Sequence, residues 1–167
     1  MRPLRRRHLG TNADRATFRT LDTAALARPA LRAGLTRDSA ERAVRHLRTL
    51  LGSPAVALTD TSGLLAWDGI GSHHADRVPN LVAATLERTG SRAFGREDLP
   101  CTENGCPART AVVSPLFVED RVVGTLQAFA PVSTAGLARA TEEVAQWVSG
   151  QLELAELDSS RTRLMEA

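Results

Sequence analysis

The sequence predicts an α+β fold: one central antiparallel sheet of five to six strands, flanked by helices and extended by a long C-terminal helix. Three observations carry that reading. Apolar residues recur at three-four spacing in three separate stretches, which is the signature of helices with one buried face. Two pairs of short β-rich runs are joined by tight turns, as in hairpins. Hairpins then dominate, and no parallel crossover is needed.

Taken in order, residues 1–35 mix Arg, Thr, Ala and Pro with little periodicity, so they are expected to form a largely disordered arm with a short helical piece at 20–27. Folding proper is expected at Thr36, where Thr36 or Asp38 can cap a helix. Ala40, Ala43, Val44, Leu47, Leu50 and Leu51 share its apolar face, and Gly52 and Pro54 end it. The run AVALTD at 55–60, the turn Thr61-Ser62-Gly63 and the run from Leu64 to Trp67 form a first hairpin. A loop, DGIGSHHAD, occupies 68–76. A second amphipathic helix follows, with Val78, Leu81, Val82 and Leu86 on one face and Gly90 at its end, and 92–95 can be a short strand.

The segment 97–109 reads as a loop stiffened by Pro100 and Pro107. Next comes the clearest hairpin, 111–118 and 122–130, turning at Glu119-Asp120-Arg121. Thr134 caps the last helix, 134–158, whose seam is Leu137, Ala140, Val144, Trp147, Gln151 and Leu154. Residues 159–167 are expected to be a tail or the start of a linker to a further domain. The seam is close to heptad spacing and longer than a sheet requires, so its far half, through Val144, Trp147, Gln151 and Leu154, is expected to pair with a second copy.

Composition narrows the classes of function. A chain of 167 residues, 43% hydrophobic and 24% charged, suits one domain with tails. All its basic residues are arginine, a usage expected of a high-GC genome rather than of selection for phosphate binding. Net charge is only +2, with the excess crowded at Arg2, Arg5, Arg6, Arg7 and His8, and there is no tyrosine. No basic stripe with interleaved aromatics is present, so nucleic acid is not an expected partner. No stretch approaches the roughly eighteen apolar residues of a membrane span, so a cytoplasmic location is expected. In that reducing compartment two cysteines argue against a permanent disulfide and leave a metal or a reversible thiol pair open.

Four soft ligands fall in the two loops: His73 and His74 in the first, Cys101 and Cys106 in the second. Two imidazoles and two thiolates suit a charge-neutral tetrahedral zinc site, and also copper(I) or an iron–sulfur centre. The C-x4-C spacing is loose for zinc. Adjacent histidines point to opposite faces of an extended strand, and both can ligate only from a turn, which Gly69 and Gly71 permit. One histidine is therefore expected to face the cysteines while its neighbour bonds backbone or a ligand. As an alternative, the two thiols act as a redox switch, closing a disulfide if their Cα atoms come within about 7 Å, with Arg96 and Arg109 favouring the thiolate. Cys106-Pro107 matches the short signature of haem-regulated proteins, a dipeptide common by chance, and haem is not favoured. A fourth reading has the cysteines as small apolar residues packing a loop. No serine lies in a nucleophile-elbow context, and turns and caps account for Asp60, Asp68, Glu97 and Asp98, so no catalytic residue is assigned.

The element order and the phrase SPLFVEDRVVGTLQ at 114–127 resemble a GAF domain, whose central strands carry a PL…G.L hairpin; PAS-like and Roadblock-like sheets share the topology only loosely. The resemblance is to the GAF domain of LytS-type bacterial sensor histidine kinases. Five motifs occur in order: Gly34-Leu35, GIGSHH at 69–74, Cys101 to Pro107, the hairpin, and QLELAEL at 151–157. The match covers about residues 31–157.

What the resemblance implies is a GAF-like sensory domain at 36–158 in a two-component kinase. It would detect a small ligand, a metal or a redox state and pass it through a dimeric helix to a kinase module in cis, and through that module to a response regulator. The resemblance also implies a membrane-anchored parent kinase. No Pro-His-Phe phosphoacceptor sequence or glycine-rich nucleotide lid appears in these residues, so the chain is expected not to be an enzyme by itself. GAF cavities lie between the sheet and the loops before the central hairpin, which implies a metal-free alternative: His73, His74, Asn104, Arg109 and Ser114 gripping a carboxylate or other anion. The other alternative is a stand-alone ligand- or metal-binding protein acting through a partner.

Overall fold

A computed structural model of the chain describes residues 12–88 and 90–167. The basic cluster at 2–8 lies outside them. The elements run α1 (Asn12–Leu31), α2 (Arg37–Leu51), β1 (Ala55–Asp60), β2 (Leu64–Gly69), a 3-10 helix (Ser72–Arg77), α3 (Val78–Glu87), β3 (Arg92–Phe94), β4 (Thr110–Val118), β5 (Arg121–Ala130) and α4 (Ala135–Glu166). All five strands are antiparallel to their neighbours, in the order β2-β1-β5-β4-β3.

Alternation along the strands divides the core into two layers. On one side Val56, Leu58, Leu116, Val118 and Leu126 pack against Ala40, Ala43, Val44 and Leu47 of α2 and Ala145, Val148 and Leu152 of α4. On the other, Ala55, Ala57, Ala111, Val113 and Phe129 meet Val78, Leu81 and Val82 of α3 together with Leu99, Cys106 and Ala108 of the cysteine loop. The loop that carries the thiols is thus part of a core layer. Its floor is the sheet.

Local chemistry sets the boundaries. Thr36 Oγ1 accepts from Ser39 N at 3.1 Å while Ser39 Oγ accepts from Thr36 N at 2.9 Å, a reciprocal cap contributing about 1 kcal/mol, and Gly52 ends α2 at φ 61°. Val118 and Arg121 face each other across a two-residue turn in which Glu119 and Asp120 both have positive φ, 50° and 63°. Strand β3 is only three residues long, so from Ser114 onward the outer edge of β4 lacks a strand partner. Helix α4 covers that edge: Phe117 N donates to Ser149 Oγ at 3.0 Å, Glu119 N donates to Glu153 Oε1 at 3.1 Å, and Pro115 has no N–H to satisfy.

Three expectations are corrected. The N-terminal segment is helical from Asn12 to Leu31 rather than an arm with a short helical piece, and Ala27, Ala30 and Leu31 bury the apolar face of its last turns beside α2 and α4. Helix α4 continues to Glu166 instead of stopping near Asp158, since no glycine or proline follows to end it. Its sheet-facing stripe is Thr141, Ala145, Val148, Leu152 and Ala155. The expected seam lies one residue over: Val144 and Trp147 pack at the margin of the core, and Leu154 is exposed.

Candidate functional site

The loop after β2 descends toward the cysteines because two glycines let it. Gly69 has φ 110°, and a Cβ there would overlap the Pro54 carbonyl. Gly71 has φ 85°, and its Cβ would come within 2.9 Å of the Ala108 methyl, with Cys106 Sγ and His74 Cδ2 at 3.7 Å. Only glycine fits that approach. The 3-10 helix then carries His73 and His74 side by side, their ring centroids 4.2 Å apart and tilted by 40°.

Both imidazoles face the thiols, which corrects the expectation that only one would. His73 Nε2 lies 3.2 Å from Cys101 Sγ and 3.7 Å from Cys106 Sγ, and His74 Nε2 lies 3.5 Å from Cys106 Sγ. The four ligand atoms all fall within 4.8 Å of one another. The tight 3-10 turn sets neighbouring side chains about a third of a turn apart instead of on opposite faces, and this accommodates both.

The cluster is half buried and half open. His74 and Cys106 are 1% and 7% exposed, whereas the His73 side chain is 37% exposed and Cys101 is partly accessible. Its acid–base character follows. The hydrogen bond from His73 holds the Cys101 thiol below its ordinary value. Burial pushes the Cys106 thiol up. Burial, and then the neighbouring His73, lowers His74, which keeps its imidazole neutral at physiological pH. Both thiols are free.

The remaining expected residues separate. Arg109 stands at the foot of β4 and donates to three carbonyls of the cysteine loop: Nε to Cys106 O at 3.2 Å, Nη1 to Cys101 O at 3.4 Å and Nη2 to Glu103 O at 2.5 Å. It is a clamp on the loop, not a free grip for an anion. Asn104 is exposed at the loop's tip, beside Gly105 at φ 75°. Ser114 points to the opposite face of the sheet. There it pairs with Ser91 Oγ at 2.8 Å and borders a cleft of about 510 Å³ between β4 and α4. The metal-free anion pocket expected from these five residues is therefore not assembled. Arg96 is exposed.

Sequence reasoning missed Glu103, whose Oε2 lies 3.7 Å from His73 Nδ1, the ring nitrogen turned away from the sulfurs. An acid between two cysteines was the available signal. It also missed a buried polar rung on the cluster-facing side of the sheet. There Thr59 Oγ1 and Thr125 Oγ1 lie 2.6 Å apart and Gln127 Nε2 donates to Thr125 Oγ1 at 3.2 Å. The Gln127 carbonyl and the Trp67 indole nitrogen on that side are buried without a partner among the described residues.

The architecture is that of a GAF domain. The phycoerythrobilin-bound GAF domain of a cyanobacterial phytochrome superimposes with a TM-score of 0.58 at 14% identity, over 85% of this chain and 96% of that one. No protein-family model matches the chain. In sequence the chain is similar to the sensor protein LytS of Bacillus subtilis (strain 168), 32% identical over 160 residues, and to that of Enterococcus faecalis, 30% identical over 162 residues. Each alignment takes in 90% of this chain but 27% of the relative, so the chain spans about a quarter of the length of the curated relatives it matches.

Proposed function

We infer that the chain is the sensory GAF domain of a two-component sensor histidine kinase of the LytS type, a non-catalytic regulatory part of a larger protein. The similarity to LytS sensor proteins along nearly the whole chain carries this reading. The His73/His74/Cys101/Cys106 cluster is its input element. Its output element is α4, which pairs with the α4 of a second copy and leads toward a kinase module acting on a response regulator.

A physical connection supports the coupling of the two elements. Strand β4 starts beside Arg109, which holds the cysteine loop, and ends where Ser149 and Glu153 of α4 hold its backbone. A shift of the loop reaches α4 through one strand. The test is a chimera in which this chain replaces the matching segment of a LytS sensor protein, with autophosphorylation as the readout. Replacing Cys101 and Cys106 together by serine is expected to change the phosphorylation rate severalfold. An output indifferent to the cluster, in a folded and active chimera, removes the sensory role.

A further inference from the structure

We propose that His73 Nε2, His74 Nε2, Cys101 Sγ and Cys106 Sγ bind a single, exchangeable zinc ion in tetrahedral coordination. This names the ligand of the cluster and rests on the sensory reading only for its consequence in signalling. The geometry is the first argument. Zinc bonds of about 2.3 Å to sulfur and about 2.0 Å to nitrogen, at tetrahedral angles, require sulfur–nitrogen edges of about 3.5 Å. Three such edges here measure 3.2, 3.5 and 3.7 Å. A site within 4.8 Å is too compact for a two-iron cluster, whose histidine and cysteine ligands sit on different irons.

Charge supplies the second argument. Two thiolates neutralise a divalent ion, whereas copper(I) in the same set leaves a net negative charge beside the apolar layer of Ala108, Leu99 and Phe94. Support around the ligands is the third. Arg109 fixes the loop that presents both cysteines, and the Gly71 backbone fits closely over Ala108 beside Cys106. Glu103 stands 3.7 Å from the far nitrogen of His73, on the side from which a carboxylate can orient a metal-binding ring.

Exchange follows from the split in burial. His74 and Cys106 form a fixed floor, while His73 and Cys101 stand at the solvent side and give the ion a way in and out.

The experiment is titration of zinc into the chelator-treated full chain, with cobalt(II) as spectroscopic stand-in and far-UV circular dichroism to verify folding. One equivalent of zinc is expected, together with the visible bands of tetrahedral cobalt and a thiolate-to-cobalt charge-transfer band. Cys101→Ser and His73→Ala, both at the open side and outside the tightly packed core, should each weaken zinc more than about a hundredfold, and Glu103→Gln about tenfold. A folded chain that takes up no zinc, or binds it equally in these variants, overturns the site. Preference for copper(I) over zinc in direct competition overturns the choice of ion. Zinc binding with no effect on the chimera's output leaves the site standing and removes its sensory role, so the two readings fail separately.

Discussion

The guanidinium of Arg109 illustrates how one side chain can organise a loop that has no regular structure. Its three bonds go to the carbonyls of 101, 103 and 106 and tie both ends of the cysteine loop to the foot of β4. A lysine carries the same charge but offers a single point of contact, so it cannot span the three positions. Arg109→Lys is expected to lower the unfolding free energy by about 1–2 kcal/mol in urea denaturation and to open 101–107 to limited proteolysis. Equal stability and equal protease resistance in the variant would show that the loop is held by other means. The residue was visible in the sequence as a polar group near the site. Its role was not, because a guanidinium that serves backbone carbonyls has the same sequence signature as one awaiting an anion. The adjacent histidines depart from expectation for a related reason: an extended strand sets neighbours on opposite faces, whereas the 3-10 turn at Ser72–Arg77 obeys a different periodicity.

Among the elements, hairpins and the capped helix α2 were legible because their signals are chemically explicit: Thr36 as cap, Gly52 as stop, alternation on both sides of a short turn. Helix α1 and the inner stripe of α4 were not. Their buried positions are filled largely by alanine and threonine, Ala27 and Ala30 in one, Thr141, Ala145 and Ala155 in the other. Small residues allow close approach of a helix to its neighbours but give little hydrophobic contrast, so the larger Trp147 and Leu154 drew the predicted seam one position aside. The β4–β5 turn is the element with strain to relieve, since Glu119 holds a positive φ that favours the shorter Asn, Asp or Gly, and Asp120 adopts it less readily than glycine does. Replacing the pair by Asn-Gly should raise unfolding free energy by about 1 kcal/mol, seen as a shifted denaturation midpoint at constant slope. A lowered midpoint would mean that the Glu119 contact with α4 depends on the native turn.

For the whole molecule, the fold class followed from the order of elements, since two tight hairpins, β1–β2 and β4–β5, with helices between and around them leave few topologies open. What sequence could not assign was which apolar residues serve the core and which look outward. The structure separates them: Leu154, Leu157, Leu164 and Met165 of α4 are 42%, 57%, 78% and 79% exposed. Among the described residues, no helix is long and apolar enough to cross a membrane. Leu154, Leu157 and Leu164 keep heptad spacing, which suits a parallel partner helix. Replacing Leu154 and Leu157 together by glutamate should weaken self-association at least about tenfold, read by sedimentation, while leaving the circular dichroism of the domain unchanged. A wild-type chain that stays monomeric at high concentration would place the interface elsewhere.

The edge of β4 that α4 covers can be followed directly by hydrogen exchange. Most strand amides are shielded by a neighbouring strand and exchange with solvent only when the sheet opens. The amides of Phe117 and Glu119 are shielded by two side chains of α4 instead. Their deuterium uptake therefore keeps time with the docking of that helix, independently of the rest of the sheet. The domain carries two native gauges of how α4 is docked on the sheet, and they need no label.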